Sequence, residues 1–182
     1  MPNALAAAGQ PGGGHVFTPA HKEDLMSAHI IHDHAPIGSL VAWSDGTPRP
    51  PERHRKKLAA WQSRNSRGRL ISKGGGRAIG NLSLSATFTL HEADYGADGV
   101  IAIRVHRIFS VESALSFTIV ERPAIGSVRV FDRAGENAEL VYLAPHRAAA
   151  EEWLSRHGYP RAVLDEVTED EVGADIVEGR AA

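Results

Sequence analysis

The sequence predicts a single α+β domain built around an antiparallel β-sheet. Its 182 residues suffice for one domain with a real core, but not for two of full size. Apolar residues alternate with polar ones through the middle of the chain, over residues 80–143. The connections there are short and rich in Gly, Asp and Pro, and no crossover helices separate the strands, which favours antiparallel pairing. We expect a meander of about five or six strands and two or three short helices, over residues 28–180.

The beginning of the chain is typical of disorder. Ala, Gly and Pro occupy 12 of the first 25 positions, and no apolar period is sustained there. We therefore predict a disordered extension over residues 1–27. Met26 begins a stretch that resembles a start of its own, which favours the hypothesis that residues 1–25 are an upstream extension without function.

A strand and a basic helical segment follow. Apolar residues from Ile37 to Trp43 predict the first strand, and residues 44–48 predict a turn. Proline fits the first turn of a helix, so we expect residues 51–66 to be helical. Leu58 and Trp61 share one face of this helix at helical spacing, and we expect Trp61 to anchor it to the sheet. Residues 69–73 predict a short strand before three glycines.

The predicted meander occupies residues 80–143, and the chain ends in helices. Strands are expected over residues 82–90, 101–105, 115–119, 128–130 and 140–142, with a turn at residues 93–99. A helix then begins at Pro145, and its apolar stripe includes Trp153, a second expected anchor. A strand-like stretch covers residues 162–164. Thr168 and Glu171 form a capping box that predicts a short acidic helix.

Charge is strongly segregated along the chain. Residues 45–77 contain ten Lys and Arg against two acids, a net charge of +8. Residues 151–182 contain nine acids against three Arg, a net charge of -6. The total of -2 therefore hides a basic segment, at residues 45–77, and an acidic end, within residues 145–180.

The basic segment leads to the first functional hypothesis, a non-enzymatic module that contacts DNA or RNA. Lys and Arg neutralise phosphates and release condensed counterions, and Arg also binds phosphates bidentately. Trp61 could stack on a base if it does not pack in the core. The alternative is that the basic face is only solvated, or is neutralised by the acidic end. The residues expected to contact nucleic acid are Arg53, Lys56, Lys57, Arg64, Arg67 and Arg69.

A second hypothesis is a protein-interaction or inhibitor role. The basic and acidic surfaces would then dock onto a protein partner, or onto each other in a homodimer. The sequence has no cysteine, so disulfides, thiol nucleophiles and thiolate metal sites are excluded. It also contains no apolar run as long as a membrane span. We expect a cytoplasmic protein that does not bind membranes.

The third hypothesis is a metal-dependent hydrolase. His29, His32 and His34 lie close together, and on an extended chain the last two would point to the same side. His91 or His106 would then complete the metal site. The alternative interpretation, which we favour, is a polar and partly mobile lead-in to the first strand. Lys73 to Arg77 form a basic glycine-rich stretch better suited to a linker than to a phosphate loop. We therefore expect no metal, no other cofactor and no catalytic residue.

Overall fold

The computed structural model describes residues 27–97 and 100–171 and confirms the α+β class. Apart from Ser27, the predicted disordered extension lies outside the described residues, as does the acidic end after residue 171. The described helices are α1 (Ala28–His34), α2 (Arg55–Arg64) and α3 (Arg147–Arg156), and residues 169–171 are also helical. The described strands are β1 (Leu40–Ser44), β2 (Ser66–Gly74), β3 (Arg77–Ile79), β4 (Leu82–Leu84), β5 (Thr87–Ala97), β6 (Val100–Ser110), β7 (Ser116–Glu121), β8 (Val128–Phe131), β9 (Leu140–Ala144) and β10 (Val163–Glu166).

The described strands form three antiparallel sheets, where the sequence predicted one meander. The main sheet has five strands in the order β6-β5-β2-β1-β7. The small sheet has the order β10-β8-β9, and β3 pairs with β4 in a separate hairpin. The predicted strand over residues 82–90 is divided into β4 and β5, which belong to different sheets. The predicted glycine linker joins β2 to that hairpin.

Aromatic side chains fill the core on one face of the main sheet. Trp43, Phe88 and Phe117 are almost fully buried, and Phe109 packs against all three. Phe109 and Phe117 belong to the two opposite edge strands, yet their ring centroids are 5.2 Å apart. Edge strands of a flat five-stranded sheet would lie about 19 Å apart. The main sheet is therefore strongly curled around its aromatic core.

Helix α1 covers this core. Ala28 and Ile31 have no exposed surface and belong to the same cluster as Trp43 and Phe117. The sequence analysis favoured a polar and partly mobile lead-in for residues 29–34, and that interpretation is wrong because α1 packs on the core. The short apolar pair Ala28 and Ile31, three residues apart, places both side chains on one helical face. The aromatic core provides the surface that this face buries.

The small sheet packs against α3. Val128, Val130 and Ala150 form a second buried cluster, against which Trp153 packs. The indole of Trp153 lies parallel to the Tyr142 ring of β9, with a centroid distance of 4.9 Å. The prediction that Trp153 anchors this helix to a sheet is confirmed.

Arg129 joins the small sheet to the chain before β1. Its side chain is only 5% exposed, although it projects from the middle of β8. The guanidinium donates to the Ile37 carbonyl oxygen at 2.7 Å and to the Asp165 carboxylate at 2.9 Å, and it also binds the Glu171 carboxylate. Burial alone would lower the pKa of Arg129, but these two carboxylates raise it above its usual value. The carboxylate that the sequence assigned to a capping box is thus used by Arg129.

None of the helices within residues 27–97 and 100–171 is both long enough and apolar enough to span a membrane.

Candidate functional site

Helix α2 stands outside the core. None of its residues is buried, although Leu58 and Trp61 are half-buried on one side. The Trp61 indole N–H donates to the Thr47 carbonyl oxygen at 2.8 Å, so this ring rests on the turn after β1. The prediction that Trp61 is a core anchor is wrong, because this half-buried residue belongs to neither buried cluster.

Asn65 holds α2 in place through polar contacts. Its side-chain oxygen accepts hydrogen bonds from the Ser44 hydroxyl at 2.6 Å and from the Asp45 backbone N–H at 3.2 Å. Its side-chain nitrogen donates to the Asp45 carboxylate at 2.9 Å and to the Trp61 carbonyl oxygen at 3.0 Å. The end of the helix is therefore fixed to the end of β1, and the opposite side of the helix is left open to solvent.

The Asp45 carboxylate makes this attachment sensitive to acid. Hydrogen bonds from the Thr47 hydroxyl, from Asn65 and from the Thr47 backbone N–H lower the pKa of Asp45 from 3.8 to about 2. A carboxyl with a lowered pKa stabilises the folded state above its unfolded pKa, and this contribution is lost as the pH falls through its folded pKa. We expect the stabilising contribution to disappear between about pH 4 and pH 2. A carboxyl-carbon NMR titration should give an Asp45 midpoint near 2.

Two variants provide the control for this titration. Asp45→Asn should reduce the acid-dependent loss of stability in that pH window while leaving the Thr47 turn formed. Asn65→Ala should move the Asp45 midpoint upward, because one of its hydrogen-bond donors is lost. A wild-type midpoint at the ordinary value of 3.8 would contradict this attachment.

The structure brings five of the six predicted nucleic-acid contacts to the surface around α2. Lys56, Lys57 and Arg64 lie on α2, and all three side chains are exposed. They fall within about 100° of arc around the helix axis, on the side next to Trp61. Arg53 precedes the helix and Arg67 follows it, and both are exposed. We call these five residues the basic surface.

Arg69 lies apart from the basic surface. It is half-buried, and its guanidinium donates to the Gly38 carbonyl oxygen beside β1. Its side chain lines a cleft between the main sheet and the small sheet. A contact to a phosphate backbone by Arg69 would therefore be separate from contacts made by α2.

The described acids leave the basic surface largely without neutralisation. Asp165 and Glu171 bind Arg129, while Glu151 and Glu152 pair with arginines of α3 itself. Within the described residues, Lys56, Lys57 and Arg67 have no carboxylate within ion-pair distance. Arg64 approaches Asp45 only at 3.9 Å.

The histidines of the proposed metal site do not converge. Helix α1 carries His29 and His32, and these two line a pocket beside the β3-β4 hairpin. The His32 ring instead contacts the neighbouring Asp33 carboxylate at 2.8 Å. His91 and His106 line the separate cleft that also contains Arg69. Among residues 27–97 and 100–171, no three His, Asp or Glu side chains are grouped as metal ligands.

The sequence analysis did not predict this cleft. It has a volume of about 260 Å³ and lies where β2, β5 and β6 of the main sheet face β9 of the small sheet. Arg69, His91 and His106 are successive cross-strand partners on three neighbouring strands. The only signal in the sequence was the presence of His106 and Arg104 on one face of a strand. The order of the strands in the folded sheet places Arg69 and His91 beside this pair, and the sequence pattern does not give that order.

Comparison with known proteins identifies a family. Residues 26–171 match the family described as uncharacterised conserved protein UCP036055. The chain belongs to this family. The matched range includes α1, the basic surface and the cleft. No curated protein matches the chain. No solved structure matches it either.

Proposed function

We propose that the protein is a non-enzymatic module that binds nucleic acid through the basic surface. The observation that carries this proposal is an exposed cationic helix whose two lysines have no carboxylate partner among the described residues. A side chain that is already paired gains little from a phosphate, because the earlier pair must break. Most residues of the basic surface have no ion pair of this kind among the described residues, so contact with a phosphate does not require one to break.

The shape of α2 supports contact with the phosphate backbone of a nucleic acid. Its ten residues extend over about 15 Å, and no part of the helix is buried. The half-buried side, with Leu58 and Trp61, faces the protein, so the cationic side faces outward. Such a surface would position phosphates without reading bases. The absence of cysteine agrees with a cytoplasmic location, where DNA and RNA are available as partners.

Salt dependence tests this proposal directly. Each phosphate that a cationic side chain neutralises lowers the logarithm of affinity by about 0.9 per unit of log salt concentration on duplex DNA. Contacts by all five residues of the basic surface would give a slope of about -4.5. The double variant Lys57→Ala with Arg64→Ala should flatten the slope by about 1.8. Fluorescence anisotropy with a labelled duplex between about 50 and 200 mM salt measures both values.

A matched control uses the other exposed helix. Arg147 and Arg156 are as exposed as Arg64 but pair with Glu151 and Glu152 on α3. Replacing both by alanine removes the same charge and should leave the slope unchanged. Absence of binding at low salt, or equal losses in the two double variants, would contradict the proposal. Single-stranded DNA and RNA in the same assay show which nucleic acid is preferred.

A protein partner is the second candidate, and one observation favours it. Tyr95 of β5 and Ile103 of β6 are cross-strand neighbours, and each is 61% exposed at the edge of the main sheet. Ile108 of the edge strand β6 is 68% exposed. Apolar side chains on an edge strand are typical of surfaces that pair with another chain. Loss of nucleic-acid binding in the assay above would leave this edge as the better candidate.

A further inference from the structure

The cleft between the sheets is a second site, independent of the basic surface. One wall consists of strands β2, β5 and β6, and the other consists of residues 140–143 of β9. The two walls differ in chemistry. The first wall holds two arginines, two histidines and Asp94 beside the apolar Ile71, whereas Leu140, Val141 and Leu143 make the second wall largely apolar.

The cations of the first wall converge because of strand register. Arg69 is the partner of His91 across β2 and β5, and His91 is the partner of His106 across β5 and β6. The two imidazole rings meet edge to face with a centroid distance of 5.7 Å. Arg104 lies two residues before His106, on the same face of β6. Four side chains able to carry a positive charge thus line one small cavity.

The carboxylates near these cations are already engaged. Asp94 accepts hydrogen bonds from the His91 ring at 2.8 Å and from the Arg104 guanidinium at 3.1 Å. Partial burial opposes ionisation of Asp94, but these bonds hold the pKa of its carboxyl below the usual value. Glu139 contacts His106 at 3.5 Å from the loop before β9. Each histidine therefore has one ring nitrogen close to a carboxylate oxygen and a second ring nitrogen that does not contact that carboxylate.

Charge balance in the cleft depends on the two histidines. Arg69 and Arg104 offset Asp94 and Glu139 when both imidazoles are neutral. Tyr142 of β9 is the other titratable group that lines the cleft. Protonation of both imidazoles would make the cleft cationic. An anion that accepts hydrogen bonds from them would favour that protonation.

We propose that this cleft binds a small organic carboxylate. The carboxylate would accept hydrogen bonds from His91, His106 and Arg104, and the organic part would contact the apolar wall at Leu140 to Leu143. A volume of about 260 Å³ limits the ligand to a small molecule. The ligand carboxylate would use the second ring nitrogen of each histidine and the terminal N–H groups of Arg104, so the contacts to Asp94 and Glu139 need not break.

Benzoate is a suitable probe, because it joins one carboxylate to one small apolar ring. Isothermal titration calorimetry should show saturable binding that is at least about tenfold tighter near pH 6 than near pH 8. Titrations in two buffers of different ionisation enthalpy should show proton uptake at the higher pH. Benzamide, the neutral analogue of similar shape, should bind at least about tenfold more weakly at pH 6.

Variants distinguish benzoate binding in the cleft from a general effect of protein charge on benzoate binding. Arg104→Gln should weaken benzoate binding by at least about tenfold. Arg53→Gln removes the same charge from the basic surface and should leave benzoate binding unchanged. His91→Gln with His106→Gln should abolish the pH dependence and the proton uptake. Circular dichroism verifies that each variant is folded, and the benzamide comparison on wild-type protein needs no variant.

Three results would overturn the proposal. They are the absence of saturable benzoate binding at pH 6, equal binding of benzamide and benzoate, and equal losses in Arg104→Gln and Arg53→Gln. Binding of inorganic phosphate without benzoate would also overturn it, because the apolar wall would then have no part. None of these outcomes bears on the salt-dependence experiment, so the two sites are tested separately.

Discussion

Replacing Arg129 by alanine is expected to lower the free energy of unfolding by about 3 kcal/mol. The side chain is almost fully buried, and it connects the small sheet to the Ile37 carbonyl oxygen. Its removal leaves that oxygen without its charged donor and leaves Asp165 and Glu171 without a counterion. Both carboxylates are partly exposed and can be hydrated, which places the expected cost at the lower end of the range for broken buried pairs. Urea unfolding followed by circular dichroism measures the loss.

Arg147→Ala is the matched control for Arg129→Ala. Arg147 is 65% exposed and pairs with Glu151 one helical turn away on α3. Exposed pairs of this kind contribute about 0 to 1 kcal/mol, so the control should change stability little. Arg129→Lys keeps the charge but cannot bind three acceptors with one planar group, and we expect it to recover only part of the loss. Equal effects of Arg129→Ala and Arg147→Ala would show that Arg129 does not hold the small sheet to the chain before β1.

Replacing Ile31 by alanine is expected to destabilise the protein by about 3 kcal/mol. Ile31 has no exposed surface and packs within the aromatic core of the main sheet. Truncation removes apolar contacts and leaves a cavity that the surrounding aromatic rings, fixed by one another, fill only in part. The same urea experiment reports the change.

Ile30→Ala is an unusually close control, because it is the same substitution at the adjacent position. Ile30 is 41% exposed, on the other side of α1. We expect it to cost less than about 1 kcal/mol. Equal stability of the two variants would show that α1 is not part of the core. The partly mobile lead-in predicted from the sequence would then be the better interpretation.

Local pattern predicted much of the secondary structure. The pattern of apolar residues located β1, β7, β8 and β9 to within a few residues, because alternate residues of a strand point to opposite faces of the sheet. The capping and breaking residues around α3 likewise located the second predicted helix, including its anchor Trp153. The basic character of α2 was also evident, since charge can be counted without knowing the fold.

The spacing of apolar residues was misleading for α2, which is amphipathic but does not pack into the core. Leu58 and Trp61 have the spacing of a core-facing stripe, yet α2 buries no residue and is held by Asn65 and the Asp45 turn. The opposite error occurred at α1, whose seven residues were too few for a clear apolar period. Whether such a short segment is buried depends on the surface that receives it, and that surface is formed by distant strands.

The sequence by itself determined the α+β class, the segregation of charge and the exclusion of thiol chemistry. These properties depend on composition and on neighbours within a few positions. Only the tertiary structure decided which side chains share a site. Strand order placed Arg69 beside His91 and His106, and the packing of the small sheet closed a cleft over them. The register between distant strands is set when the apolar faces of several strands are buried together. A local sequence pattern does not contain that information.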